Sequence, residues 1–281
     1  MHRPGEILTH MADPQGILIP IGGHEDKNGR KDILARVLDE TRRKDPIIEV
    51  ITVATNLPDE TLYDYRAAFK DLGVRDIGEI RVQERDEANK EDILKRIERC
   101  DGVFFSGGNQ LKLTTLLGGT TFLKVLKDRY FNDRDFVIAG TSAGAAAMSN
   151  TMIVSGGSED ALIKGKLQLA SGLDFTTNVF IDTHVTERGR FGRLIHTVAS
   201  NPSVLGLGLG EDTGAIMYDG KELEIIGSGL AIIVDGNEMK FTDLTEIADG
   251  DPISIEGMKV HVLAKGKRFL LEERRFIKEK K

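Results

Sequence analysis

The chain is poor in the features that mark secreted, membrane-bound and metal-dependent proteins. Its 281 residues include a single cysteine, Cys100, which excludes an internal disulfide framework and a cysteine-based metal cluster. No apolar run approaches the length of a membrane span. Met1 to Gln15 is polar and has no signal-peptide core, so it reads as a loose arm, and the expectation is a cytoplasmic protein with no membrane partner. Positive charge is not in excess: the net charge of −7 argues against nucleic acid as a partner and suits cationic ligands. There is no G-x-x-x-x-G-K-[ST] phosphate loop, no H-E-x-x-H pair, no internal repeat and no low-complexity segment. Cys100, in Glu98-Arg-Cys-Asp-Gly-Val103 at the entry to a strand, reads as a half-buried structural thiol rather than a nucleophile.

What is present is ordinary globular composition, 40% hydrophobic and 30% charged, enough for a sizeable core. The first half alternates strand and helix patterns. Apolar runs at Gly16–Ile21, Ile47–Ala54, Ile77–Val82, Gly102–Phe105 and Phe136–Ala139 are separated by helical periodicity over 31–43, 59–72, 87–99 and 111–129. This alternation predicts an α/β fold with a doubly wound, mostly parallel sheet and helices on both faces. Ligands in such sheets bind beyond the carboxyl ends of the strands, so the loops after Ile21, Phe105 and Ala139 are the candidate site. Beyond Asn150 come a polar loop over 155–166, which reads as a wall over the site, a strand over 178–182, a helix over 188–199 and a strand over 204–209. Residues 212–277 are rich in short strands, with turn signals at Asp219-Gly220, Asp235-Gly236 and Asp249-Gly250. They are expected to extend the same sheet in antiparallel fashion, within one domain spanning 1–281. Residues 272–281 read as a solvated tail.

One stretch organises the rest. The run Phe136 to Ala139 breaks at Gly140-Thr141-Ser142-Ala143-Gly144 and becomes an alanine-rich helix former. A strand, a sharp turn and a helix with serine at the apex is the arrangement that exposes a nucleophile, and the flanking glycines let strand and helix pack closely beneath it. The amides of a helix N-terminus there can receive a developing oxyanion.

A serine nucleophile needs a base and a group that orients the base. Of six histidines, His2 and His10 lie in the arm and His24 in the first candidate loop. His196 falls inside a helix and His261 alternates with Val260 and Val262 in a strand. His184 follows the apolar strand Val179-Phe-Ile-Asp-Thr183 at its carboxyl end, where a base should stand. Leu205-Gly-Leu-Gly-Leu-Gly-Glu-Asp212 ends in two acids, and spacing alone leaves open whether Glu211 or Asp212 orients the base.

Five segments together resemble one family. They are Gly22-Gly-His-Glu-Asp-Lys27, Ser106-Gly-Gly-Asn-Gln110, Gly140-Thr-Ser-Ala-Gly-Ala145, Ile181-Asp-Thr-His184 with Arg188-Gly-Arg-Phe-Gly-Arg-Leu194, and Gly210-Glu-Asp-Thr213. They are similar to those of the cyanophycinases, serine peptidases of the clan that includes the aspartyl dipeptidases (peptidase E), with a fold akin to class I glutamine amidotransferases. The resemblance implies a triad of Ser142, His184 and Glu211, oxyanion donors at Ala143 and Gly108, no cofactor and no metal, and a homodimer. It implies cyanophycin as substrate, a poly-aspartate backbone with arginine on each side-chain carboxyl, cut to β-Asp-Arg dipeptides. It also implies Gln110, Asp182, Arg190 and Arg193 as substrate contacts. Arg190 and Arg193 are three apart and would share a helix face behind the base, where guanidinium groups can pair with aspartyl carboxylates.

Thr183, Val185 and His24 depart from the family pattern, where glutamine, an aromatic and a small residue are usual. Three other readings compete. One is an aspartyl or isoaspartyl dipeptidase, and another a binding protein that keeps the fold without catalysis. The third is an α/β-hydrolase esterase, whose order of serine, acid and histidine would recruit Glu211 or an Asp near it and then His261.

Overall fold

A computed structural model describes residues 13–278; residues 1–12, most of the expected arm, lie outside the described residues. The central sheet has nine strands. Five are parallel, in the order Ile17–Ile21, Val137–Thr141, Gly102–Phe105, Ile47–Ile51 and Asp76–Ile80. On the other side of Ile17–Ile21 the sheet continues antiparallel through Thr213–Tyr218, Glu222–Gly227, Arg268–Leu270 and Arg275–Phe276.

Side chains alternate across a strand, so these apolar runs feed two cores at once. Ile17, Ile19, Ile21, Val137, Ala139 and Phe104 point to one face, under the helices Asp32–Glu40 and Pro58–Asp71. Leu18, Ile138, Val103 and Phe105 point to the other, under the helices Glu91–Arg99, Gln110–Leu117 and Thr121–Asn132. The first of the expected helices ends early, at Glu40, and Arg42 just beyond it takes a positive φ of 54°. The helix expected over 87–99 begins only at Glu91, and Arg85–Asn89 form a separate 3-10 turn before it.

The C-terminal half corrects the expectation of a single extended sheet. Val179–Thr183 and Leu205–Leu209 pair in parallel, and Ala231–Asp235 and Lys259–Leu263 join them antiparallel, forming a separate four-stranded sheet. Its inner residues Ile181, Leu207 and Ile233 belong to the same apolar cluster as Leu18 and Phe105, while Phe180 and Val234 face the helix Phe191–Ser200 through Leu194 and Val198. Only part of 212–277 therefore extends the first sheet. The Asp219-Gly220 turn, with φ of 52° and 66°, joins two strands that do. Glu272 to Lys278 is not a free tail either: the guanidinium of Arg274 pairs with buried Asp235 and donates to the Ser203 carbonyl at 2.6 Å. Cys100 is fully buried rather than half-buried, and burial pushes its thiol up to about 12.

Two strands that the sequence pattern concealed, Thr151–Ser155 and Gln168–Ser171, pair with each other and bracket the polar loop. The His196 ring anchors that loop through the Ala161 carbonyl at 2.8 Å. Among the described residues, no helix is long and apolar enough to cross a membrane.

Candidate active site

Val137–Thr141 lies in the parallel array between Ile17–Ile21 and Gly102–Phe105, so its carboxyl end opens between the loops of its two neighbours. Ser142 follows with φ 51° and ψ −112°, a conformation that costs a non-glycine residue about 1–3 kcal/mol. The surroundings hold it there. Its amide donates to the Ile21 carbonyl at 2.9 Å, and its carbonyl accepts from the Ala146 amide at 2.9 Å as a one-turn helix begins. Gly144 is required because a Cβ there would stand 2.5 Å from the Phe105 carbonyl oxygen. The helix is short, Ala143–Ala146, since the chain then turns into Ala147 and Met148 of the core.

His184 ends the strand Val179–Thr183 of the second sheet, again at positive φ, 53°. Its amide donates to the Gly22 carbonyl at 3.1 Å, which ties the second sheet to the first strand's loop. Its ring lies so close to Gly23 that a Cβ there would come within 2.3 Å of it. Glu211 follows Leu205–Leu209, the strand paired with that of His184.

The three side chains meet. Ser142 Oγ is 2.8 Å from His184 Nε2, and His184 Nδ1 is 2.8 Å from Glu211 Oε1. A carboxylate on Nδ1 assigns the ring proton there and leaves the Nε2 lone pair facing the hydroxyl. Burial lowers the His184 pKa from its ordinary value; the Glu211 hydrogen bond opposes this, while Arg188 and Arg190 add to it. An imidazole kept neutral in this way can take a proton from the serine. The Glu211 pKa is lowered, first by its bond to His184 and then by its bond to His24. Asp212 is separated from this chain of bonds: its carboxylate accepts from the Asp26 amide at 3.2 Å and from the Ser228 hydroxyl, as a turn acid does.

Ala143 follows the serine directly in the chain, and Gly108 lines the same cleft as the serine. Among the described residues, neither amide donates a backbone hydrogen bond outside its own helix or strand. Both Gly107 and Gly108 line a cleft of about 420 Å³ around Ser142 and His184, together with Lys27, Asp64 and Arg188. Both signs of charge face it.

The four expected substrate contacts lie differently. Arg193 and Asp182, both buried, are engaged with each other: Nε to Oδ2 at 3.0 Å and Nη2 to Oδ1 at 2.6 Å. Arg193 also donates to the Gly156 carbonyl at 3.1 Å. Opposite charges on neighbouring elements satisfy one another here, so these two groups are not free to receive a ligand in this arrangement. The Gln110 amide donates to the Ile153 carbonyl at 2.9 Å, and one Arg190 nitrogen to the Thr183 carbonyl at 3.0 Å. None of the four lines the cleft. Arg190 also precedes the helix Phe191–Ser200 instead of sharing its face with Arg193. His261 packs its ring against Phe269 and Phe276, and the imidazole bonded to Ser142 is that of His184.

The sequence assigns no role to Arg188, Glu25 or His24. Arg188 lines the cleft and is exposed. Glu25 is buried beneath it, accepting from the Tyr65 hydroxyl and from Thr141 Oγ1 at 2.5 Å, and burial with this carboxylate pushes the Tyr65 pKa well up. His24 Nδ1 lies 2.8 Å from Glu211 Oε2, so one carboxylate is held between two imidazoles. The loop Gly22–Lys27 at the end of the first strand was the available signal, and its residue roles depend on partners far away in sequence.

A serine on a strained turn at the end of a parallel strand, hydrogen-bonded to a histidine from a strand end of the second sheet, has the arrangement of an α/β serine hydrolase. The family match makes the class that of a serine peptidase. Residues 17–226 match Peptidase family S51, and the chain belongs to that family. It is 36% identical over 259 residues to a cyanophycinase of Synechococcus elongatus, covering 92% of this chain and 80% of that protein. With a cyanophycinase of Trichormus variabilis it shares 32% over 269 residues, or 96% and 90% of the two chains. Two solved structures share the fold at 15% identity. A peptidase from an acI-B1 Actinobacterium has a TM-score of 0.66, covering 94% of this chain and 100% of that one. A putative peptidase E protein from Listeria monocytogenes has a TM-score of 0.51, covering 76% and 99%.

Proposed function

We infer that this serine peptidase hydrolyses cyanophycin to β-Asp-Arg dipeptides through Ser142, His184 and Glu211. The observation that carries the reading is the unbroken pair of 2.8 Å hydrogen bonds from hydroxyl to imidazole to carboxylate. As Ser142 Oγ attacks the β-aspartyl peptide carbonyl, its proton passes to His184 Nε2 while Glu211 holds the ring and stabilises the imidazolium. The amides of Ala143 and Gly108 receive the oxyanion. His184 then protonates the leaving amine, and a water activated by the same ring releases the product from Ser142.

The substrate offers a main-chain carboxylate and a guanidinium in each repeat. Arg188 and Lys27 are the cationic groups at the cleft and Asp64 an exposed acid there, which suits both ends of such a unit. The Asp182–Arg193 pair, with Arg190 and Gln110, serves the substrate from behind: it fixes the strand end of His184 and the loop at Gly156 that walls the site. The same reading takes residues 1–281 as one catalytic unit working in the cytoplasm as a homodimer, without a cofactor.

Incubating the purified protein with insoluble cyanophycin, and identifying soluble products by mass, tests the reading. Release of β-Asp-Arg dipeptides, lost in Ser142→Ala, is expected. Turnover of isoaspartyl dipeptides with the polymer left intact would replace it by the dipeptidase reading. Sedimentation of the same preparation reads the oligomeric state.

A further inference from the structure

His24 gives the site a second imidazole that the hydrolytic steps do not use. One ring nitrogen each of His24 and His184 and a carboxylate oxygen of Glu211 lie within 4.8 Å of one another. The carboxylate already sits 2.8 Å from each ring. Ligand atoms on a tetrahedral zinc ion stand about 3.3 Å apart, given bonds of roughly 2.0–2.2 Å. Both nitrogen–oxygen pairs are near that spacing, and the nitrogen–nitrogen pair, within 4.8 Å, needs only a small swing of the exposed His24 ring. Two imidazoles and one carboxylate select zinc over magnesium or calcium, and three protein ligands leave a fourth position for water. The His24 side chain is 71% exposed, which gives an ion a way in and the ring freedom to swing.

We propose that His24, His184 and Glu211 form a zinc site that reversibly silences the peptidase. The hydrolytic consequence rests on His184 being the base. Zinc takes the lone pair of His184 Nδ1, and the proton held there moves to Nε2, so the ring's charge and proton count are unchanged. Nε2 then donates toward Ser142 and cannot accept its proton. Glu211 remains a ligand and no longer orients the ring for catalysis. Removing the ion restores the Nδ1–H tautomer.

The test is calorimetric titration of zinc chloride into chelator-treated protein, with cyanophycin hydrolysis measured in parallel and again after excess EDTA. His24→Asn and His184→Asn are the variants, because asparagine tolerates the positive φ of 50° and 53° at these positions. Wild type and Ser142→Ala should each bind one zinc per chain with equal affinity. Both asparagine variants should bind about tenfold more weakly or worse, in line with the loss of a ligand-shell group. Wild-type hydrolysis should fall as the site fills and return with EDTA. No saturable binding to wild type, or undiminished affinity in either asparagine variant, overturns the site. Zinc binding that depends on both histidines but leaves hydrolysis intact keeps the site and refutes His184 as the base.

Discussion

Asp182 and Glu211 stand at the ends of two paired strands of the second sheet, and their surroundings differ in kind. Asp182 is buried and gives both oxygens to one guanidinium that never changes charge. Glu211 is partly exposed and gives one oxygen to each of two imidazoles, rings whose nitrogens can both carry and accept a proton. The first pair can hold shape and the second can move protons. Breaking each should therefore damage a different property.

The largest effect is expected on the catalytic side. Ser142→Ala should lower kcat by roughly 10⁶-fold, as removal of a nucleophile acting within a triad does, with the melting temperature retained or raised because a strained turn loses nothing by it. Steady-state kinetics and a thermal melt check both halves. Glu211→Gln comes next, at about 10⁴-fold in kcat, since a neutral amide neither fixes the tautomer nor stabilises the imidazolium. Asp212→Asn, one residue on, should leave kcat nearly unchanged and show mainly in the melt, because Asp212 holds a turn.

On the structural side, Arg193→Ala leaves Asp182 buried without its partner, at a cost of about 3–5 kcal/mol. Replacing both by apolar residues should recover much of the lost stability, which denaturant unfolding of single and double variants will read. A melt of Arg193→Ala equal to wild type would erase the distinction between the two carboxylates. Arg188→Ala should be milder: about tenfold in KM for cyanophycin, from loss of one charge-assisted contact, with reaction toward a small serine reagent preserved.

The pH profile sharpens the comparison further. In the proposed mechanism His184 is the neutral base, so kcat/KM should be present above its pKa and lost as pH falls through it. Burial lowers that pKa, and the acid limb should therefore lie below the ordinary histidine value of 6.5. The Glu211 hydrogen bond raises it, so the residual activity of Glu211→Gln should show an acid limb displaced further down. An unmoved limb would mean that another group sets it.

The parts of the site that the sequence made legible are those set by local pattern. An apolar run broken by Gly140 and Gly144 around Ser142 describes a turn completely, and apolar runs ending at His184 and before Glu211 place both at strand ends. Pattern cannot say which sheet a buried strand joins. Val179–Thr183 and Leu205–Leu209 would be buried on both faces whether they extend the first sheet or found a second, and the structure does the latter. Nor can it say whom a charge meets. Arg193 next to the base looked available to substrate, until folding set Asp182 against it 11 residues away. Glu25 and His24 take their partners from Thr141, 116 residues on, and from Glu211 in the turn after a strand of the second sheet, distances at which no periodicity speaks.

The most direct measurement of the central claim is covalent labelling with a serine-directed sulfonyl fluoride, followed by peptide mass mapping of wild type, His184→Ala and Asp212→Asn. One adduct on Ser142 is predicted, abolished in His184→Ala and retained in Asp212→Asn. An adduct on another residue, or Ser142 labelled as fast without His184, would contradict the assignment of nucleophile and base.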